Sequence, residues 1–390
     1  MSPEQNRKLL LIFAIAVIAL NLRPAIASVG PLIFEIRDDT GLSNTLLGLL
    51  TTLPVLAFGL FSVMTPLFTR RFGTEGTMAL ALILLTTGLL IRVIPSLIPL
   101  FLGTAILGVG IALGNTLLPG IVKKSFPRRF GLVTGIYSSM LGIGATIASA
   151  ISVPLSEGAG LGWRWALGAW AAIAFIGLLI WLPQMKQNIP VIARRSLRQS
   201  LRQLGTSKLA WNVSIFVGLQ SLTFYTIIAW LPEILIERGM SAGNAGYMLA
   251  LTQGTGVIGT FVIPAWAARR QRQRLPIIIL VALEIISLLG LMASSLFLVE
   301  LWAAMLGFCL GGSFGLALLF LVLRTRDSHS ANELSGMAQS IGYTIASFGP
   351  AFFGAVYDIT LNWTYPIAML LLIAFAKLAS GWVAGRDEVV

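Results

Sequence analysis

The stretch "TPLFTRRFG" (65–73) has a counterpart about 200 residues later, "IPAWAARRQ" (263–271), and this correspondence decides the fold. In each stretch a proline, Pro66 or Pro264, precedes a pair of arginines by four or five residues. An apolar segment that ends in paired arginines is typical of a membrane helix reaching the cytoplasmic surface. The correspondence suggests that the chain contains the same unit twice.

Two further correspondences support a duplication. The basic segment "KKSFPRR" (123–129) corresponds to "RTRD" (324–327), and "GWRWALGAW" (162–170) corresponds to "LNWTYPIAM" (361–369). Each match alone is short enough to arise by chance. Together they indicate a repeated six-helix unit, which is how many secondary transporters are built.

The composition places the chain in a lipid bilayer. Of its 390 residues, 56% are hydrophobic and 11% are charged, and the mean hydropathy is +0.88. A soluble domain carries about 25% charged residues. Because lipid offers backbone groups no hydrogen-bond partner, we expect each bilayer-length segment to be helical. The predicted spans are 9–33, 43–68, 75–94, 97–122, 130–154, 162–183, 209–236, 243–268, 275–296, 299–323, 332–356 and 360–383.

We therefore predict an all-α integral membrane protein with twelve transmembrane helices in two pseudo-symmetric six-helix halves. The first half comprises residues 1–183 and the second 209–390, and the polar segment 184–208 is predicted to be a basic cytoplasmic linker. The tenth span carries three glycines at the four-residue spacing that lets helices approach closely in lipid: Gly307, Gly311 and Gly315.

The net charge of +12 indicates orientation rather than a nucleic-acid partner. With the N-terminus placed in the cytoplasm, 21 of the 27 Lys and Arg lie at the cytoplasmic side. An excess of Lys and Arg in cytoplasmic loops is the positive-inside rule. The sequence thus predicts a multi-pass protein of the cell membrane, with both termini cytoplasmic, the lipid bilayer as its partner and no nucleic acid.

Three stretches resemble a known family. "NLRPAIASVGPL" (21–32), "GLLTTLPVLAFGL" (48–60) and "GIALGNTLLPGIVKKSFP" (110–127), together with "RRFG" after the second span, resemble the major facilitator superfamily and, within it, the cyanate and 2-nitroimidazole transporter group. The resemblance implies a monomeric, gradient-driven carrier of a bacterial inner membrane that works by alternating access. Its substrate would be a cyanate-like anion or a nitroimidazole-type compound. A proton-coupled multidrug efflux carrier is the alternative, and a co-transported proton is compatible with both.

Arg23 lies in the middle of the first predicted span, where a charge is costly. Residues four and seven positions away share its helical face, and all of them are small: Ala16, Ala19, Ala27 and Gly30. Such a stripe leaves either an open cavity or a tight helix contact. We predict that Arg23 faces a central cavity, because ionisable groups inside a membrane usually serve substrate or ion pathways. Its planar guanidinium offers a fork of donors suited to small anions. The alternative is a structural arginine bonded to carbonyls of a neighbouring helix.

Other polar groups lie at a similar depth along their spans, and the resemblance makes them candidates for substrate binding. Taken alone, a polar residue in a helix bundle more often forms a hydrogen bond between helices. The candidates are Asn115, Tyr137, Gln220, Gln253, Ser313 and Tyr343.

Two further charges inside spans, Glu284 and Lys377, are predicted to form a structural ion pair. Each lies about 9–13 Å inside its span at 1.5 Å per residue, and the two spans belong to the same half. The alternatives are that Glu284 is a proton-coupling site or that Lys377 extends alone to the interface.

A cytoplasmic gate is predicted where the two arginine-rich loops approach each other. It comprises Arg70, Arg71, Arg269 and Arg270. Arg70 stands where the superfamily commonly has an acidic residue, so neither loop supplies a counter-charge. Asp327 and Glu333 are the candidate carboxylate partners.

The sequence lacks the residues that other functional classes require. No set of His, Cys and carboxylates has metal-site spacing, and no phosphate-binding loop of the Walker type occurs, so we expect no metal, no cofactor and no ATP-driven transport. An intramembrane enzyme would need paired carboxylates or a nucleophile with its base at matched depth. A receptor would usually carry a soluble signalling domain. The sequence therefore favours a carrier over an enzyme or a receptor.

Overall fold

The computed structural model describes residues 3–187, 205–293, 296–326 and 328–390, and in these ranges every regular element is a helix. The first six are α1 (Pro3–Asn21, Pro24–Ala27 and Val29–Thr40), α2 and α3 (together Asn44–Ile91), α4 (Leu97–Ser125), α5 (Phe130–Val153) and α6 (Gly162–Gly168 and Trp170–Trp181). The last six are α7 (Lys208–Glu237), α8 (Ala242–Ala267), α9 (Arg274–Met292), α10 (Val299–Leu323), α11 (Ser328–Thr360) and α12 (Thr364–Ala384).

The predicted all-α membrane fold is confirmed. Ten helices in the described ranges are long and apolar enough to cross a bilayer. The 48-residue helix Asn44–Ile91 would be about 72 Å long if straight, but it breaks at Gly73, whose φ of 70° suits glycine. It therefore provides two crossings, α2 (44–72) and α3 (74–91). The 33-residue α11 is also long enough to cross.

The predicted linker (184–208) lies mostly outside the described residues. A short 3₁₀ helix, Leu182–Gln187, follows α6, and α7 begins at Lys208. Residues 188–204 are not described. The linker and the division at 183 and 209 stay predictions.

The first span is not one continuous helix. Pro24 has no backbone N–H to donate to the carbonyl of Leu20, and its ring disfavours a helical residue before it. Leu22 and Arg23 accordingly form a turn between two helical segments. The freed carbonyl of Leu20 packs against Gly144 of α5, where any side chain would overlap it. Pro24 thus places Arg23 at a helix break in the middle of the bundle.

Glycines allow the closest helix contacts, as predicted for the tenth span. A Cβ on Gly311 of α10 would overlap the carbonyl of Gly256 of α8, and a Cβ on Gly307 would overlap the carbonyl of Thr252. In lipid such backbone approach replaces the hydrophobic effect as a source of helix association. The α8–α10 pair therefore forms a tight wall, and Thr252, Gly256 and Gly307 belong to the lining of the site described below.

Contacts at the helix ends define two faces of the bundle. Lys124 of α4 forms an ion pair with Glu75 (2.9 Å), and Trp181 at the end of α6 donates to the carbonyl of Glu75 (2.9 Å). Arg324, after α10, donates to the carbonyl of Ala384 at the end of α12 (2.8 Å). Because successive helices alternate in direction, these contacts share one face. We refer to it as the terminus face and to the other as the opposite face.

Candidate functional site

A cavity of about 470 Å³ lies in the middle of the bundle. Both sets of six helices supply its walls: α1, α4 and α5 on one side, and α7, α8, α10 and α11 on the other. From the break in α1 it extends towards the terminus face, reaching Gly120 on α4, Leu321 on α10 and Ser335 on α11. Its shape suits a solute that enters from that face.

Arg23 is the one charged side chain among the described residues that line the cavity. Its guanidinium carbon lies 5.1 Å from the ring centre of Phe224 and 6.0 Å from that of Tyr225, within the range of cation–π attraction. No carboxylate of the described residues lies within ion-pair distance of it. Arg23 and Gly30, predicted to share a face, both face α7, since Gly30 packs against the carbonyl of Ile228. The guanidinium of Arg23 is thus a half-buried cation that faces the cavity.

Six of the seven predicted substrate-binding residues line this cavity: Arg23, Asn115, Tyr137, Gln220, Gln253 and Tyr343. Ser313 does not, and it is buried with 1% of its surface exposed. The face of α10 that reaches the cavity carries Leu310, Phe314 and Ala317 instead. Depth along a span places a residue in the bilayer but does not fix its direction about the helix axis, which is why Ser313 was misplaced.

The two cavity glutamines on α7 and α8 differ in their hydrogen bonds. Gln220 Nε2 donates to the carbonyl of Val217 (3.2 Å) and to Ser221 Oγ (2.6 Å). Gln253 Nε2 is buried and has no partner among the described residues. Sequence reasoning did not distinguish them, and it also missed the aromatic residues Phe224 and Tyr225 beside Arg23.

Polar contacts at the opposite face join the two sets of helices. Asp358, near the end of α11, accepts four hydrogen bonds from the first turn of α2: from the backbone and side-chain nitrogens of Asn44 (3.0 and 2.8 Å) and from the backbone nitrogen and hydroxyl of Thr45 (2.8 and 2.7 Å). A carboxylate at a helix N-terminus satisfies free N–H groups and interacts favourably with the helix dipole. Arg37 of α1 forms an ion pair with the buried Glu233 of α7. These five residues are called the seal.

The α2–α11 contact continues from the seal towards the middle of the bundle. Thr52 Oγ1 donates to the carbonyl of Ser347 (2.8 Å) and accepts from the backbone N–H of Ala351 (3.2 Å). Gly48 faces the backbone of Pro350 so closely that a Cβ would lie 2.5 Å from its carbonyl oxygen. The two sets of helices are thus joined on this side by backbone-to-backbone packing of α2 against α11.

We expect Asp358→Asn to open the opposite face. The amide cannot accept all four hydrogen bonds, and bonds to a charged partner contribute about 1.5–3 kcal/mol each. Losing one of them shifts the balance between open and closed states about tenfold or more. In a Cys309→Ala background, spin labels at the exposed positions Leu46→Cys and Ile359→Cys report the α2–α11 distance. The distances between the labels should become longer in Asp358→Asn. They should stay unchanged in Asp38→Asn, which alters an exposed carboxylate nearby. Identical distance distributions in both variants would contradict the role of the seal.

The arginines of the predicted cytoplasmic gate are exposed at the terminus face. The guanidinium of Arg71 lies 5.4 Å from the ring centre of Phe72, and that of Arg270 lies 4.8 Å from the ring centre of Trp266. Asp327, one of the two predicted carboxylate partners, lies outside the described residues. The gate therefore stays a prediction.

The family follows from comparison with known proteins. A family model described as "Major Facilitator Superfamily" matches residues 9–355. The chain belongs to the Major Facilitator Superfamily. It is a multi-pass membrane transporter of small solutes and not an enzyme. Because the matched range runs from α1 into α11 and includes every residue listed above as lining the cavity, the central cavity lies within a transporter fold.

Relatives and solved structures agree with this assignment. The chain is 37% identical to the 2-nitroimidazole transporter of Escherichia coli, covering 100% of this chain and 98% of the relative. It is 31% identical to the cyanate transport protein CynX of the same organism, covering 90% and 91%. A bacterial homologue of the human lysosomal transporter Spinster, in an inward-facing and occupied conformation, superposes with a TM-score of 0.77 at 16% identity, over 99% of this chain and 98% of that one. The last comparison concerns the fold alone.

Proposed function

We propose that the protein is a gradient-driven carrier that moves a small anion or a strongly dipolar solute across the membrane by alternating access. Arg23 carries this proposal, because it is the single charged group among the described lining residues, and no carboxylate of the described residues lies within ion-pair distance of it. Relatives that are 31–37% identical are named for cyanate and 2-nitroimidazole. Both compounds are small and present electron-rich oxygen or nitrogen atoms to such a cation. These two compounds are the candidate substrates.

We place the terminus face in the cytoplasm of a bacterial inner-membrane protein, on the strength of the charge distribution in the loops. The cavity then opens to the cytoplasm and the seal closes it from outside. Alternating access requires the reverse arrangement as well, with the seal broken and the terminus face closed. The two sets of six helices, 3–187 and 208–390, are the bodies that would rock about the cavity, and a monomer suffices for this movement.

Proton coupling has less support than charge selection. A proton-coupled efflux carrier would be expected to place a carboxylate beside its substrate, and the described lining residues include none. The two buried carboxylates nearest to such a role, Glu233 and Glu284, form ion pairs outside the lining. The proposed carrier therefore selects its solute by the charge of Arg23.

Transport in proteoliposomes tests the proposal. Vesicles loaded with unlabelled cyanate or 2-nitroimidazole should accumulate the labelled compound transiently, and the initial rate should saturate with concentration. Such counterflow requires a carrier that exposes its site to one side at a time. An imposed pH gradient or membrane potential then identifies the coupling ion. Flux that rises linearly with concentration, or no flux of either compound, would reject the proposal.

A further inference from the structure

Gln253 carries an unexplained polar group. Its side chain is 94% buried, since only 6% of its surface is exposed, and it lines the cavity. Its Nε2 has two N–H donors and no hydrogen-bond partner among the described residues. A buried donor left unpaired is costly, and native proteins keep few of them without a reason. A ligand that accepts a hydrogen bond at this position supplies the reason.

Arg23 and Gln253 come from different sets of six helices but border the same segment of α5. The carbonyl of Leu20, three residues before Arg23, packs against Gly144. A Cβ on Gly254, the residue after Gln253, would lie 3.9 Å from the Thr146 side chain. The two donors thus face one cavity, from α1 and from α8, with α5 between them.

The chemistry of the two donors is complementary. The guanidinium of Arg23 lies near the rings of Phe224 and Tyr225, and its fork of N–H groups suits an acceptor that carries negative charge. The amide of Gln253 is neutral and suits a second acceptor without a full charge. Both groups donate, so a solute with acceptors at two ends satisfies them together.

We propose that Arg23 and Gln253 form a two-ended binding site for a compact solute with acceptor atoms at both ends, one of them carrying most of the negative charge. This inference rests on the proposed function and assigns Gln253 as a residue that determines specificity. Because the two residues belong to different sets of six helices, a bound solute bridges them. Bridging favours conformations in which the two sets are close around the solute.

The inference predicts that one substitution weakens binding without lowering stability. Gln253→Leu removes the unpaired donor and keeps an apolar side chain of similar size in its place. The dissociation constant for cyanate or 2-nitroimidazole should rise by about twofold to tenfold, as expected when one hydrogen bond to an acceptor without a full charge is lost. The melting temperature of the ligand-free variant should not fall, since the Gln253 amide nitrogen has no hydrogen-bond partner among the described residues. A structural role for Gln253 would lower it.

The dissociation constants are measured by titrating the purified full-length protein with each solute. The melting temperature is measured by thermal unfolding without solute. Ser313→Ala is the matched control, because Ser313 also has a buried side-chain oxygen without a described partner but lies outside the lining. Its dissociation constants should equal those of the wild type. Unchanged binding by Gln253→Leu, or a lower melting temperature without ligand, would overturn this inference and leave the carrier intact. Failure of the wild type to bind or transport either compound would overturn the proposed function and this inference with it.

Discussion

Arg23→Lys is expected to lose transport of the anionic or dipolar solute by about tenfold to a hundredfold, the range expected when hydrogen bonds to a charged partner are lost. Lysine keeps the positive charge but has a flexible point charge instead of a planar fork. The fork is held beside the ring of Phe224, with a guanidinium-to-centroid distance of 5.1 Å. An ammonium group there would attract the solute without fixing its orientation. Uptake rates in proteoliposomes, normalised to the amount of inserted protein, provide the measurement.

Arg23→Ala should abolish transport, because no other charged side chain of the described lining can replace it. Arg238→Lys is the matched control, since Arg238 lies at the opposite face and donates to the carbonyl of Ala293. The control should transport at the wild-type rate. If Arg23→Lys also transported at that rate, the bidentate role would be excluded and only a role for the charge would remain.

The fold could be predicted from the sequence because a lipid-exposed segment of bilayer length has to be helical. Each predicted span corresponds to a helix or helical part, and the tenth, 299–323, has the same bounds as α10. Arg23 was recognised as a cavity residue for the same reason: an unpaired charge in lipid is costly, so its presence indicates a polar environment. The break that holds it was missed although its cause, Pro24, is the next residue. Hydropathy alone cannot detect a turn within an apolar segment.

The seal was not predicted, and its residues show why. Asn44 and Asp358 are 314 positions apart, and each is an ordinary polar residue near the end of a span. Neither carries a sign in the sequence that the other is its partner. Arg37 and Glu233 are equally inconspicuous, since charges near helix ends are usually solvated. Such contacts depend on how two sets of helices are placed in one conformational state, and local patterns do not encode that placement.

The pairing of Glu284 with Lys377 was inferred from depth, and the structure places the two in contact. Lys377 Nζ on α12 donates to Glu284 Oε2 on α9, and both side chains are 0% exposed. The second carboxylate oxygen, Oε1, has no hydrogen-bond partner among the described residues. Neither residue lines the cavity. A buried ion pair need not be stabilising overall, because desolvation offsets its attraction, but removing one partner leaves a buried charge uncompensated.

Glu284→Gln is therefore expected to destabilise the protein by about 3–5 kcal/mol, with little change in transport per folded molecule. Thermal unfolding in detergent should show a clear decrease in melting temperature. The double variant Glu284→Gln with Lys377→Met removes both charges. It should recover most of the lost melting temperature, since the destabilisation of the single variant arises from the unpaired lysine.

The pH dependence of transport separates this structural role from proton coupling. If the pair only holds α9 against α12, Glu284→Gln keeps the wild-type pH profile while it unfolds at a lower temperature. If Glu284 instead takes up and releases the coupling proton, the variant loses that dependence, and the double variant does not restore it. Loss of pH dependence at unchanged stability would move Glu284 into the transport mechanism, even though it lies outside the cavity.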